Sequence, residues 1–370
     1  MIVGLFPDLL SVGGVQTAGR QTAASLAALS RQLGQPYQFL SLNDPEAEHW
    51  ATVDGLPFCF HGFHRARARF VDAAMELAQS KPTVVLASHP HLALPAQIMK
   101  MRSPRLRVIV MTHGIEVWRP LPFARRWALR QADLVLAPSN DTARHVVEIQ
   151  GVFPERVSQL PWCLDPDFRK LAAQADSFLL PPGFPEGRVI LSVGRWAATE
   201  RYKGVDCLLR AMPEILKQVP DAHLVAVGDG DDRPRLEEIA RTAEVAQRVH
   251  FLRAPSKGSL IACYSKCDVF ALPSSGEGFG FVLLEAMALA KPVVGGAYGG
   301  TLNLIEDGVN GFLVRQEDNS RIVETLARLL TDENLRRELG EKARVRVLAQ
   351  FSFEHFQAQL GNILQAFDVL

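Results

Sequence analysis

Short apolar runs alternate with longer segments of helical periodicity along most of the chain. This alternation is typical of parallel strands joined by crossover helices. In the first half it predicts strands at residues 2–6, 37–42, 84–88, 107–112 and 134–138. Each run ends in polar or glycine-containing residues, at the edge where α/β sheets bind ligands. The predicted fold class is α/β.

The same pattern starts again after a loop rich in proline and glycine at residues 181–187. It predicts strands at residues 189–193, 223–227, 249–252, 269–271, 292–295 and 311–314. From residue 351 onward, six apolar residues have helical spacing: Phe353, Phe356, Leu360, Ile363, Leu364 and Phe367. A chain of 370 residues also exceeds the usual size of one core. We predict two Rossmann-like domains, residues 1–170 and 171–352, and a terminal helix at residues 353–370.

Composition narrows the class of protein. Hydrophobic residues make up 48% and charged residues 22% of the chain, the balance of a soluble globular protein. The longest apolar runs are far shorter than the ~20 residues that cross a bilayer. The apolar start at Ile2 has no basic leader and predicts a first strand rather than a secretory signal. Five scattered cysteines indicate neither a disulfide framework nor a zinc site. We expect a cytoplasmic protein.

Charge is unevenly distributed although the formal net charge is zero. Twelve basic and three acidic side chains between His61 and Arg130 give that stretch a charge of about +9, and five aromatic residues are interleaved with them: Phe63, Phe70, Trp118, Phe123 and Trp127. Two interpretations remain open. The stretch either contacts anionic lipid headgroups or a phosphorylated acceptor at the inner face of the membrane, or it is a solvated basic face. No nucleic-acid partner is expected.

The most informative segment is the glycine-spaced loop at residues 273–280. A predicted strand ends before it, and helix-forming composition begins at Phe281. Such a junction directs free backbone N–H groups and the positive end of a helix dipole towards a ligand, and phosphate is the natural occupant. Glu277 in the loop and Glu285 about one turn into the helix can accept hydrogen bonds from sugar hydroxyls.

Two cations follow the first predicted strand of the second half. Arg195 comes directly after Gly194, and Lys203-Gly204 lies in the next loop. At the ligand edge of the domain, these cations can neutralise a diphosphate leaving group without a metal ion. The triplets at residues 165–167 and 229–231 have the Asp-x-Asp form, but such short patterns arise by chance, and we predict no metal.

The first half offers two further candidates. The adjacent glycines Gly13 and Gly14 follow the first predicted strand and allow close approach of a ligand to the backbone. Their surroundings do not match the G-x-G-x-x-G fingerprint, which disfavours a nicotinamide enzyme. His113 follows the predicted strand at residues 107–112, where it would face the ligand edge.

Taken in order, these elements resemble the retaining GT-B glycosyltransferases of family 4. The most specific match is the E-x7-E element from Glu277 to Glu285, with Gly278-Phe279-Gly280 between them. Further matches are Gly13-Gly14, His113, Gly194-Arg195, Lys203-Gly204 and residues 227–230 and 306–311. The resemblance covers essentially the whole chain. It implies two Rossmann-like domains facing across a cleft, with a C-terminal helix that crosses back to the first domain.

The resemblance also implies roles for residues of the second domain. Arg195 and Lys203 would hold the donor diphosphate, and Glu285 would bind the ribose. Glu277 would contact the hydroxyls of the transferred sugar. The main chain near Arg253 would recognise the base. Gly278, Phe279, Gly280 and Phe281 would complete the donor site.

From the first domain, Gly13 and Gly14 would approach the diphosphate, and His113 would contact the donor sugar near the reacting carbon. One departure concerns the loop after the strand at residues 292–295, where the family often has Pro and Glu after Gly-Gly. Here Thr301 follows Gly299-Gly300, so the main-chain N–H groups of these three residues are the alternative ligands.

The implied function is transfer of a hexose, with retention and without metal or other cofactor, from a UDP- or GDP-sugar. GDP-mannose is slightly favoured by the resemblance of residues 112–118. The implied acceptor is a saccharide or lipid-linked saccharide in surface polysaccharide synthesis. Two alternatives remain: a nucleotide-sugar epimerase, and a non-catalytic nucleotide-sugar-binding partner protein. A sugar phosphorylase is disfavoured because no cofactor lysine site is found.

Overall fold

The computed structural model describes residues 1–253 and 256–366. The chain divides into two compact units. The first unit consists of Met1–Pro166 and the segment from Phe353 onward, and the second is Asp167–Ser352. Phe367 and the rest of the predicted terminal helix beyond residue 366 lie outside the described residues.

Regular elements alternate between strands and helices in both units. The strands are β1 Ile2–Phe6, β2 Tyr37–Ser41, β3 Glu48–Val53, β4 Leu56–Gly62, β5 Val84–Ala87, β6 Arg107–Met111, β7 Leu134–Ala137, β8 Val157–Gln159, β9 Arg188–Val193, β10 Ala222–Val227, β11 Val249–Leu252, β12 Val269–Leu272, β13 Val293–Gly296 and β14 Phe312–Val314. The helices are α1 Gly14–Gln32, α2 Arg67–Gln79, α3 Ala93–Arg102, α4 Phe123–Arg130, α5 Asn140–Glu148, α6 Pro166–Ala172, α7 Val205–Gln218, α8 Arg233–Thr242, α9 Lys257–Lys266, α10 Phe281–Ala288, α11 Thr301–Leu304, α12 Asn319–Thr331, α13 Glu333–Gln350 and α14 Phe353–Ala366. Every strand predicted from the sequence is present, and its ends differ by at most one residue.

The first unit is built on an eight-stranded sheet in the order β3-β4-β2-β1-β5-β6-β7-β8. All neighbouring strands are parallel except the antiparallel pair β3 and β4. The sequence analysis missed this hairpin. Asp54 and Gly55 form its two-residue turn with φ angles of 48° and 78°, the conformation that Asp-Gly favours between hairpin strands. It also missed β8, a short strand of mostly polar residues at the opposite edge.

The second unit contains a six-stranded parallel sheet in the order β11-β10-β9-β12-β13-β14. Strands β10 and β11 are added on one side of β9, and β12, β13 and β14 on the other. The loops after β9 and β12 therefore leave the sheet side by side. That point is where open parallel sheets bind their ligands. Several helices begin at N-cap side chains that accept a backbone N–H, among them Asp318 before α12 and Asp332 before α13.

Apolar strand residues form the core of each unit. In the first unit, buried residues such as Leu5, Val85 and Val110 pack beneath the helices. In the second unit, Ile190, Leu224 and Val294 do the same. These central strands are buried over nearly their whole length, as expected for parallel sheets covered on both faces. The terminal helix α14 belongs to the first unit, where Phe356 contacts Trp162 with ring centroids 6.0 Å apart.

The basic stretch does not form one surface interleaved with five aromatic residues, which corrects the sequence interpretation. Phe63, before α2, and Phe70, in the first turn of α2, are both buried in the core of the first unit. The exposed Arg69 pairs with Glu46. Phe123 and Trp127, by contrast, are exposed by 88% and 43%, one turn apart on α4. No helix within the described residues is long and apolar enough to cross a bilayer.

Candidate functional site

The first loop of the site follows β9 in the second unit. Gly194 and Arg195 leave the strand, and a short 3-10 segment, Ala198–Lys203, leads to α7. Arg195 and Lys203 both contact Glu200: the Arg195 guanidinium forms an ion pair with it, and the Lys203 ammonium lies 2.8 Å from its Oε2. The loop therefore holds two cations on one carboxylate.

The second loop follows β12 and carries Glu277 to the start of α10. It is tied to the first loop by the main chain of Tyr202, whose carbonyl accepts hydrogen bonds from Ser275 N–H at 2.8 Å and Gln316 Nε2 at 2.6 Å. Burial raises the pKa of Glu277, and the nearby Lys203 ammonium opposes that shift. Burial also lowers the pKa of Lys203, against the attraction of Glu277. Lys203 therefore lies close enough to both Glu277 and Arg195 for their charges to act on it.

Helix α10 begins at this point with its open N-terminus. Gly280, the N-cap, has a φ of 108° that L side chains rarely adopt, and an added Cβ would lie 3.0 Å from Leu283 Cδ1. The Gly280 carbonyl accepts bonds from Leu283 and Leu284 N–H. The N–H groups of Phe281 and Val282 precede the helical bonding pattern, so this end of the helix favours an anion.

The third loop, after β13, packs against the second. Gly300 N–H donates to the Glu277 carbonyl at 2.6 Å. This bond corrects the expectation that Gly300 N–H serves a ligand, because the protein itself already uses it. Thr301 Oγ1 donates to the carbonyls of Gly296 and Tyr298, both at 2.5 Å, and so closes the turn into α11.

Glu285 projects from the second turn of α10 and has a buried partner. Tyr264 Oη on α9 donates to Glu285 Oε2 at 2.7 Å. Burial, and next the Glu285 carboxylate, raise the pKa of Tyr264 well above its usual value, so the phenol stays protonated and remains a donor. The ring is fixed by Phe270 and Phe168, with centroids 5.6 and 6.0 Å away. Tyr264 therefore orients Glu285.

Arg253 lies at the end of β11, the edge strand, which β10 separates from β9. Its guanidinium forms an ion pair with Asp229, which follows β10. Asp231 Oδ1, in the same loop, accepts the Ala198 N–H at 2.8 Å. Both carboxylates of this Asp-x-Asp triplet are therefore engaged by the protein. Among the residues described, no group of three or more His, Cys, Asp or Glu side chains is arranged to hold a metal ion.

In the first unit, His113 follows β6 and lies among rings. It stacks on Trp162 and on His89, with centroids 5.3 and 5.6 Å apart. His113 Nε2 donates to the Ser88 carbonyl at 2.7 Å, which fixes the tautomer and leaves Nδ1 as an acceptor. The His113 N–H donates to Glu116 Oε1 at 2.5 Å.

His89 is held neutral beside this ring. Burial, and next the charges of His113, His91 and Arg125, lower the pKa of His89 to about 2.

Gly13 and Gly14 lie at the start of α1, after β1. Strand β5 separates β1 from β6, so the glycines and His113 leave strands that are not adjacent.

Comparisons with known proteins identify the chain. Residues 12–168 match the family described as Glycosyltransferase Family 4, and residues 182–346 match Glycosyl transferases group 1. A GDP-mannose-dependent alpha-(1-6)-phosphatidylinositol monomannoside mannosyltransferase from Mycolicibacterium smegmatis is 32% identical over 300 residues, 76% of each chain. This chain belongs to glycosyltransferase family 4. An N-acetyl-alpha-D-glucosaminyl L-malate synthase from Bacillus anthracis is 26% identical and covers 97% of this chain and 95% of its own.

Solved structures agree on the fold of this glycosyltransferase. An Anabaena protein in complex with UDP has a TM-score of 0.75 at 18% identity, with 99% of each chain covered. A sucrose-phosphate synthase from Thermosynechococcus elongatus has a TM-score of 0.76 at 20% identity, with 99% of this chain and 98% of its own covered. The family and the GT-B fold predicted from the sequence are both confirmed.

The predicted site residues of this glycosyltransferase lie in three parts of the fold. Arg195, Lys203 and Glu277 come together, with Gly278, Gly280, Phe281 and Glu285 on the same loop and helix. Arg253 follows the edge strand β11, which β10 separates from β9, and Gly13, Gly14 and His113 lie in the first unit. Phe279 is 2% exposed and packs on Phe281 and Phe351, so its ring supports the loop from within.

Four residues of this glycosyltransferase were missed by sequence reasoning: Glu200, Tyr264, His89 and Trp162. Each acts on a predicted residue through a contact that only the folded chain makes. Glu200 alone had a local clue, since it lies three residues before Lys203 in a segment with helical turns.

Proposed function

We propose that this family 4 enzyme transfers a hexose from a nucleoside diphosphate sugar to a saccharide or lipid-linked saccharide, with retention of configuration and without a metal ion. The observation that carries the proposal is the convergence of Arg195, Lys203 and Glu277 at the N-terminus of α10. Two cations and a helix N-terminus stabilise the negative charge that develops on a departing diphosphate.

We assign other residues to the remaining parts of the donor: its sugar, its ribose and its base. Glu277 accepts hydrogen bonds from hydroxyls of the transferred sugar, and Glu285, oriented by Tyr264, binds the ribose. The main chain at Arg253 recognises the base. From the first unit, Gly14 approaches the diphosphate and His113 offers Nδ1 to a hydroxyl of the donor sugar.

In this mechanism the bond between the anomeric carbon and the diphosphate oxygen breaks through an oxocarbenium-like state. The acceptor oxygen forms its bond on the same face, and its proton passes to the departing phosphate oxygen. Arg195 and Lys203 lower the barrier by stabilising the leaving group, and no enzymic nucleophile is required. Positioning of donor and acceptor supplies the rest.

GDP-mannose is the first donor to test, because the Mycolicibacterium smegmatis relative is GDP-mannose-dependent. UDP-sugars are the second, since the Anabaena structures contain UDP and UDP-glucose. In EDTA, the purified protein should release GDP or UDP from one donor, faster with an acceptor, and an Arg195→Ala variant should not. Proton NMR of the product should show the donor's anomeric configuration. Inversion, or a strict need for Mg²⁺ or Mn²⁺, would overturn the mechanism.

We further propose that α4 contacts an anionic bilayer near a lipid-linked acceptor. Phe123 and Trp127 are exposed on one side of the helix, and the exposed Arg119 and Arg130 flank them. Aromatic rings with neighbouring cations suit the headgroup region of an anionic membrane.

Cosedimentation tests this contact. The protein should bind vesicles containing phosphatidylglycerol better than vesicles of phosphatidylcholine alone, and a Phe123→Ser, Trp127→Ser variant should lose that binding. Reversing charge at the exposed Arg65, Arg67 and Arg69 should reduce it less, because those side chains have no exposed aromatic neighbour on α2. Binding insensitive to anionic lipid and to all of these changes would contradict the proposal.

A further inference from the structure

Glu200 forms ion pairs with the two cations that the proposed function assigns to the donor diphosphate. Its carboxylate pairs with the Arg195 guanidinium and lies 2.8 Å from Lys203 Nζ. The Glu200 and Lys203 side chains are only 11% and 18% exposed, so solvent screens this pair weakly, whereas Arg195 is 72% exposed. The carboxylate is thus bound where a phosphate would bind, by the same N–H donors.

Charge balance argues against Glu200 staying in place when a donor binds. Arg195 and Lys203 carry two positive charges, and Glu200 and Glu277 carry two negative charges, so the group is neutral as it stands. A diphosphate diester adds about two negative charges, which would be uncompensated in a partly buried site. Release of Glu200 to solvent leaves the two cations to the diphosphate.

The segment around Glu200 is anchored on both sides by main-chain and side-chain contacts. Ala198 N–H donates to Asp231 Oδ1 at 2.8 Å, and Arg201 Nε donates to Asp232 Oδ1 at 3.1 Å. Further on, the Tyr202 carbonyl is fixed by Ser275 and Gln316. Glu200 itself interrupts the 3-10 segment with φ −118° and ψ 28°. Its side chain can therefore leave by rotation while Arg195 and Lys203 keep their places.

We propose that the Glu200 carboxylate is an internal competitor of the donor diphosphate: it holds Arg195 and Lys203 in the free enzyme, is displaced when a nucleoside diphosphate binds, and returns as the product leaves. This inference rests on the proposed donor site. It makes Glu200 a residue that sets affinity for the diphosphate rather than one that binds the donor.

Calorimetric titration of the full chain in EDTA tests the competition. With the nucleoside diphosphate that the wild-type protein binds, GDP or UDP, Glu200→Gln should lower Kd about five- to tenfold, since it removes two competing ion pairs. Glu200→Asp, which keeps the charge on a shorter side chain, should give a smaller gain. Affinity for the corresponding nucleoside, which has no phosphate, should not change.

Glu214→Gln is the matched control, because it removes an exposed carboxylate paired with Lys217 elsewhere in the same unit, and its Kd should equal that of the wild type. Thermal unfolding of each variant shows that it is folded. An unchanged or weaker affinity in both Glu200 variants would overturn the competition and assign Glu200 to positioning the cations. Absence of nucleotide binding by the wild-type protein would instead overturn the proposed function, and this inference with it.

Discussion

The two units carry different chemistry on loops at the same kind of sheet edge. In the first unit, His113 stacks on His89 and Trp162, and burial lowers the pKa of His89 to about 2. In the second unit, Arg195 and Lys203 share the carboxylate of Glu200. One edge is lined by stacked rings, and the other concentrates charge.

This difference indicates a division of labour in the proposed reaction. A histidine packed among rings suits contact with sugar hydroxyls, which carry no charge. Coupled cations at a helix N-terminus suit a leaving group that gains negative charge. The changes below should therefore affect catalysis most in the second unit and acid stability most in the first.

The largest effect is expected for Lys203→Ala. Loss of this cation should lower kcat/KM about 10²- to 10³-fold, since it removes one preorganised charge from the leaving group. Lys217→Ala, which changes an exposed lysine paired with Glu214, should leave the rate unchanged. Steady-state transfer assays measure both, and a loss of less than about tenfold for Lys203→Ala would contradict the assigned role.

Glu277→Gln should reduce transfer about 10- to 100-fold, because it replaces the charged hydrogen-bond acceptor that we propose for the sugar. Its effect on folding should have the opposite sign. Burial raises the pKa of Glu277, so the free energy of unfolding of the wild type falls as pH rises from about 4.5 through the raised pKa. Urea unfolding should show that Glu277→Gln stabilises at pH 7 and that the gain shrinks on acidification. Destabilisation at pH 7 would mean that Lys203 outweighs burial.

In the first unit, His89→Asn should change how the free energy of unfolding depends on pH. Between pH 6.5 and about 2 the unfolded chain binds a proton at residue 89 that the native protein excludes. This group should therefore lower the free energy of unfolding by up to about 1.4 kcal/mol per pH unit below pH 6.5. Asn keeps an acceptor for the His91 N–H, which His89 Nδ1 binds at 3.2 Å. Urea unfolding from pH 7 to 5 should show a flatter dependence for His89→Asn than for the wild type, and equal slopes would contradict the burial of an uncharged His89.

The smallest effect is expected for Tyr264→Phe. Removing the hydroxyl that donates to Glu285 should weaken donor binding about three- to tenfold, since one hydrogen bond that orients the proposed ribose ligand is lost. Tyr298→Phe removes a hydroxyl that donates at the same 2.7 Å distance to the exposed Glu317. Nucleotide titration should show a loss for the first variant and none for the second. Equal affinities would mean that Glu285 needs no orienting partner.

Much of the fold could be predicted because buried parallel strands leave continuous apolar runs, as in Val84–Ala87 and Val269–Leu272. The β3–β4 hairpin escaped because its strands alternate between exposed and covered residues, although Asp54-Gly55 is a recognisable turn. Strand β8 escaped because Val157–Gln159 is too short and polar to show a pattern.

Only part of the candidate site could be predicted from the sequence, for a related reason. Arg195, Lys203, Glu277 and Glu285 stand next to glycines or at strand ends, where local sequence marks them. Tyr264 is 21 residues from Glu285 and joins it only in the folded chain, by a hydrogen bond between α9 and α10. Trp162 reaches His113 in the same way, across the first unit. Tertiary partners of this kind leave no trace in local spacing.

The central claim is a metal-free nucleotide site in the second unit, and isothermal titration with UDP, GDP and ADP in EDTA tests it most directly. We expect one nucleoside diphosphate to bind, Lys203→Ala and Glu285→Ala each to weaken it, and Lys217→Ala to leave it unchanged. Absence of binding to all three nucleotides, or binding that both site variants leave intact, would contradict the account.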